Sequence, residues 1–127
     1  VTSAATPRSG TVLFAHGSRD PAWRAPIEAV AARMRQLSPG ALVTCAYLEF
    51  TAPDLAAAVQ ELLAQGAARI TVWPMFLGAG RHAREDLPRL IDQLRQTHPD
   101  VPMHLQAAIA EDPRVLDAMA RSALDSP

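Results

Sequence analysis

Two histidines stand where apolar runs end in small residues: His16 in LFAHGSRDP and His82 in PMFLGAGRHAREDLP. A neutral imidazole binds borderline divalent ions such as Fe, Co, Ni or Zn, and it accepts a proton near neutral pH. Glu49, at the end of LVTCAYLE, adds a carboxylate. The three form a competent ligand set if the fold gathers them on one edge, since they are too far apart for a local signature such as H-E-x-x-H. Arg19, Arg81 and Arg84 flank the two histidines, either as solvated surface charges or as forks for the carboxylates of an anionic substrate. Ser18 and Asp20 read as turn and cap residues, and Glu85 and Asp86 as carboxylates favoured at a helix start. His98 and His104 fall at a helix end and a strand start, away from that edge.

The elements that must position these groups follow from periodicity. Residues 11–15 form a short β-compatible run, followed by the turn residues Gly17, Ser18 and Asp20. Ile27, Val30, Ala31, Met34 and Leu37 have helical spacing, so a helix settles from about Pro26 after an irregular first turn and stops at Pro39-Gly40. Residues 42–48 are a second strand, nearly continuous in apolar character, as suits a parallel strand covered on both faces. Thr51 and Asp54 resemble a capping box, and Leu55, Val59, Leu62 and Leu63 give the buried stripe of a helix that Gly66 ends. The run 70–77 predicts a third strand, with Pro74 marking a strand end, an edge or a bulge. The next helix passes through Leu87, Leu90, Ile91 and Leu94; Pro88 makes it start near Asp86 or bend, leaving His82 in a loop or first turn. Residues 103–109 predict a fourth strand, and Asp112-Pro113 leads into a terminal amphipathic helix carrying Val115, Leu116, Met119 and Leu124.

Four βα units imply an α/β fold with a four-stranded parallel sheet, right-handed crossovers and helices on both faces. The loops after His16, Glu49, Leu77 and Ile109 then share one edge, outside the strand carboxyl ends, where such sheets bind ligands. Trp23, Trp73, Met75 and Phe76 read as core, with Met75 and Phe76 close enough to that edge to serve as apolar walls.

The chain has 127 residues, 49% hydrophobic and 20% charged, with a formal charge of -1. That length supports one core without disulfides, and the charge argues against a nucleic-acid binder that neutralises phosphates. No apolar run approaches the roughly 20 residues needed to span a bilayer, so a soluble, cytoplasmic protein without a membrane partner is expected. All twelve basic residues are Arg, through GC-rich codon usage or carboxylate binding. The single Cys45 lies in an apolar stretch and reads as core. Residues 1–10 are expected to be a disordered lead rather than a signal peptide, with one domain over 11–127.

The segments LFAHGSRDP, YLEFTAPDLAAAVQELLAQGAARITVWPMFLGAGRHAREDLP and AIAEDPRVLDAMA together resemble the small CbiX and SirB chelatases, which insert a divalent metal into sirohydrochlorin. The similarity covers almost the whole chain, and H-G-S-R-D and G-x-H-x-x-x-D-L-P are its specific elements. It implies a chelatase-like, flavodoxin-like three-layer domain and a lyase of the sirohydrochlorin cobaltochelatase or ferrochelatase type. In it His16 and His82 bind the metal, and Glu49 matches an acidic position of the second-strand loop. The substrate side is then assigned to Ser18, Arg19, Arg81, Arg84, Met75, Phe76 and Gly78. The implied metal is a substrate, Co2+ or Fe2+ ahead of Ni2+, for cobalamin or siroheme synthesis, with no organic cofactor. The short members look like half of the two-lobed chelatases, which implies a homodimer closing on the tetrapyrrole. A metal-storage role of the His-rich tail of some relatives is not carried over.

Metal insertion requires loss of two pyrrole protons and stripping of water from the ion. One histidine cannot bind the ion and accept a proton at once, so ligation falls to the His16/His82 pair and proton acceptance is shared between one of them and Glu49. Two other readings compete. A strand followed by His-Gly also occurs in histidine phosphatases, but there an Arg precedes the His and here Ala15 does. The harder rival is a metal carrier or tetrapyrrole-binding module that keeps both histidines and never inserts the ion.

Overall fold

The computed structural model describes residues 8–78 and 80–125, with only the backbone at His82. Its elements are β1 (Ser9–Ala15), α1 (Ala25–Leu37), β2 (Leu42–Tyr47), α2 (Leu55–Ala64), β3 (Arg69–Pro74), α3 (Arg81–Thr97), β4 (Met103–Leu105) and α4 (Pro113–Asp125). Short 3-10 turns at Pro21–Arg24 and Ile109–Glu111 lead into α1 and α4. The four strands form one sheet in the order β2-β1-β3-β4, every pairing parallel.

The sheet grows from β1 in both directions, so right-handed crossovers place α1 on one face and α2 and α3 on the other. Packing agrees. Val12, Phe14, Ile70 and Val72 pack with Leu55, Val59 and Leu62 of α2 and with Leu87 and Ile91 of α3. On the opposite face Leu13 and Val43 pack with Ala31 of α1, alongside Ile27, Met34, Cys45, Trp73 and Met75. The chain therefore reverses direction between β1 and β3, a switch point that opens a crevice at their carboxyl ends. His16 follows β1 directly, and the segment leading to His82 follows β3.

Several boundaries differ from the sequence expectation. β1 begins at Ser9, so Ser9 and Gly10, placed in a disordered lead, pair with Arg69 and Ile70 instead. A Cβ on Gly10 would lie 3.0 Å from Ala67 Cβ and 3.1 Å from Ile70 Cδ1, so glycine allows this close approach where an apolar signal is lacking. Residues 1–7, 126 and 127 lie outside the described residues. The irregular first turn expected before α1 is the 3-10 turn, capped by Asp20, which accepts from Ala22 N at 3.0 Å. Trp23 within it is exposed rather than core.

The expected capping box at Thr51 and Asp54 does not form. Asp54 itself is the N-cap of α2 and accepts from Ala57 N at 2.9 Å, which leaves the Thr51 hydroxyl for another task. β3 stops at Pro74, whose missing N–H suits a strand end. α3 starts at Arg81 and runs through Pro88. The proline forfeits one backbone bond, but Ala83, Leu87, Ile91 and Leu94 form a single buried stripe across it, and that packing carries the helix back to Arg81. β4 is shorter than 103–109, because Ile109–Glu111 turns into a 3-10 lead for α4.

Candidate functional site

The site is a rim in which the loops after β1 and β2 are joined. Backbone bonds from Leu48 N to Ala15 O (2.9 Å) and Glu49 N to His16 O (3.0 Å) continue the β1–β2 pairing beyond the sheet. The Thr51 hydroxyl donates to Ser18 O at 2.7 Å and accepts from Ser18 N at 3.4 Å, closing the far end. Gly17 sits between these ties with φ +90°, and a Cβ there would lie 1.9 Å from Glu49 O. Only glycine tolerates both the left-handed backbone and that approach. His16 and Glu49 are thereby held side by side, His16 half-buried and Glu49 exposed.

Phe76 fixes the imidazole. Its buried ring lies 4.4 Å from the His16 ring, tilted by 33°, and meets Phe14 edge-on at 6.3 Å. Phe76 also lines a cavity of about 390 Å³ at the ends of β3 and β4, bordered by Gly78, Arg84, Leu87, Gln106 and Glu111. One phenyl ring thus stands between His16 and a mostly apolar cavity bordered by Arg84. Met75 takes the other direction and borders a shallow depression beside Trp23 and Ile27 on the α1 face, so the two proposed walls do not share a surface.

Among the arginines, Arg19 lies over the ring of Phe50, 4.8 Å from its centroid. Arg81 pairs with Glu85 at 3.0 Å on the exposed face of α3, and Arg84 borders the cavity. Ser18 is occupied by Thr51 and by Asp20 N, which donates to its hydroxyl at 3.1 Å. The His82 backbone lies in the first turn of α3, and its side chain lies outside the described ones. Among the described residues no group of three or more His, Cys, Asp or Glu is placed to hold a metal ion.

A partly buried thiol and a buried phenol lie below the rim. Burial pushes the Cys45 thiol above its ordinary value, with the Glu28 carboxylate adding to the effect. The same cause raises Tyr47, whose hydroxyl is buried without a hydrogen-bond partner among the described residues. Cys45 remains a protonated, partly buried packing residue, as its apolar neighbours in the sequence suggest.

The residue that sequence reasoning missed is Phe50. It has φ 66° and is 58% exposed. A non-glycine residue in that region costs about 1–2 kcal/mol, and it offers a large apolar ring to solvent beside Glu49. The available signal was an aromatic residue just past the end of a strand, directly after a candidate site carboxylate.

The geometry is an open parallel α/β sheet with an imidazole-bearing and a carboxylate-bearing residue joined through their backbones at its switch point. Residues 10–126 match the CbiX family, and the chain belongs to it. It is similar to the sirohydrochlorin cobaltochelatase of Methanocaldococcus jannaschii, 34% identical over 87 residues, covering 68% of this chain and 61% of that protein. The sirohydrochlorin cobaltochelatase of Saccharolobus solfataricus is 39% identical over 83 residues, covering 65% and 62%. The matched stretch thus spans less than two thirds of those relatives. The fold is shared with the CbiX protein of Marinobacter aquaeolei VT8 at TM-score 0.79 and 33% identity, covering 92% of this chain and 95% of that one. Bacillus subtilis subspecies spizizenii SirB, in complex with cobalt, superimposes at TM-score 0.76 and 22% identity, with 93% of this chain covering 50% of it.

Proposed function

We propose that this domain is a sirohydrochlorin chelatase, a lyase that inserts Co2+ or Fe2+, and Ni2+ less readily, into the tetrapyrrole for cobalamin or siroheme synthesis. The observation that carries the reading is the Gly17 junction, which holds His16 beside Glu49 at the switch point where the β3–α3 segment also arrives. The names of the relatives supply the substrate.

In this reading His16 and His82 take the incoming ion from water, and one of them shares with Glu49 the acceptance of the two pyrrole protons. Phe76 holds the His16 ring, so the ligand does not have to be ordered when the ion arrives. Arg19, Arg81 and Arg84 bind the peripheral carboxylates, for which Arg81 gives up an exposed pair with Glu85 that is worth little. Gly78 and Phe76 line the adjoining cavity. Metal is substrate here, and no organic cofactor takes part.

The working unit is a homodimer in the cytoplasm. One chain matches about half of SirB, and α4 has no buried residue, with Leu116 59% and Leu124 83% exposed. Among the described residues no helix is long and apolar enough to cross a membrane.

The test is anaerobic conversion of sirohydrochlorin, followed by absorbance, with Co2+, Fe2+ and Ni2+ supplied separately. Wild type should accelerate one insertion well above the spontaneous rate, and a His16→Ala, His82→Ala double variant should lose the acceleration. Binding of ion or ring without acceleration would replace this reading with that of a carrier.

A further inference from the structure

We infer that Phe50, together with Arg19, forms a platform that takes the flat face of the tetrapyrrole while the guanidinium meets one of its carboxylates; this rests on the reading above. The ring is out of place for a folding role. It is 58% exposed, and its backbone is held at φ 66°, where an L-residue is disfavoured. A tight turn closed by Thr51 N donating to Glu49 O at 2.8 Å holds it there, and backbone strain of this kind gathers where ligands bind.

Its surroundings show what it offers. Arg19 covers one side of the ring at 4.8 Å, which leaves the other side for an incoming planar system. The guanidinium stays exposed and keeps its donors for an oxygen anion. Glu49 on one side of Phe50 and Thr51 on the other are both tied to the β1 loop, so the platform is fixed relative to His16. A planar polycarboxylate suits that juxtaposition of an apolar ring and a cation better than a small anion or a bare ion, which has no use for the ring.

The test uses the full chain. Phe50→Gly removes the ring and relieves the left-handed backbone, so its thermal midpoint should equal or exceed that of wild type. Its affinity for metal-free sirohydrochlorin, read by absorbance titration, should fall about tenfold, the scale of one aromatic contact of ~1.4 kcal/mol, with KM rising in parallel and kcat changing less. Phe50→Trp should restore affinity and add tryptophan emission that the bound tetrapyrrole quenches. Unchanged affinity in Phe50→Gly with wild type active overturns the platform and leaves the chelatase reading standing, as does a change confined to kcat or to oligomeric state. Failure of wild type to bind the tetrapyrrole removes both.

Discussion

One missing carbon at position 17 sets how closely the two loops of the rim approach. Because a Cβ would meet Glu49 O at 1.9 Å and the backbone stands at φ +90°, Gly17→Ala must either part the loops or adopt a strained conformation. We expect a loss of about 2 kcal/mol or more in urea unfolding, together with loss of the proposed metal insertion, since His16 and Glu49 separate. The placement of His16 and Glu49 on one edge was legible because each ends an apolar strand run and the four βα units bring those ends together, and Gly17 was legible as a turn residue. The Arg19–Phe50 contact was not, since it depends on a backbone angle at residue 50 that no residue type announces. Phe76 was legible as an apolar wall but not as the support of the imidazole, which requires knowing that β1 and β3 are neighbours.

At the scale of elements, the entry to α4 is a pH-dependent device. Asp112 accepts from Arg114 N at 2.9 Å and from the guanidinium at 2.8 and 3.1 Å, and these bonds hold its carboxyl down at about 2. A depressed folded value means that the contribution is fully present above the ordinary value of 3.8 and is lost as pH falls from there through about 2. Asp112→Asn keeps a capping acceptor but not the charge. Its thermal midpoint should lie below that of wild type near neutral pH, and the gap should close as the pH approaches 2; a constant gap would refute this. The helix and its Asp-Pro start were readable from the sequence. The start of α3 was not, because a proline is a stronger local signal than the buried stripe of Ala83, Leu87, Ile91 and Leu94, which acts only once the sheet is there to pack against. Thr51 was misread as a cap for a similar reason: its partner, Ser18, lies 33 residues away.

For the whole molecule the question is what covers α4. Its apolar residues Leu116, Met119 and Leu124 are all exposed, a patch of the kind that marks association. If the proposed homodimer forms through α4, Leu116→Asp should lower the mass found in sedimentation equilibrium to that of a monomer, and the proposed insertion should weaken with it. A monomeric wild type would sink the homodimer. The four-unit α/β plan was legible from alternating periodicities, whereas the strand order β2-β1-β3-β4 was not, because right-handed crossovers allow several orders and no single segment of sequence selects among them.

The two rims of that sheet share a further trait. Arg35, in the last turn of α1, donates to Val43 O of β2 at 2.9 Å, and Arg95, in the last turn of α3, donates to Met103 O of β4 at 2.9 Å. Each border strand thus has a carbonyl taken by a bulky cation from the helix before it, and β4 offers only three residues to an incoming strand. Copies of this chain are discouraged from knitting their sheets into a ribbon. The two-fold contact proposed for the helical flanks would close on itself and stop, so a concentrated solution should hold finite particles and resist fibre growth.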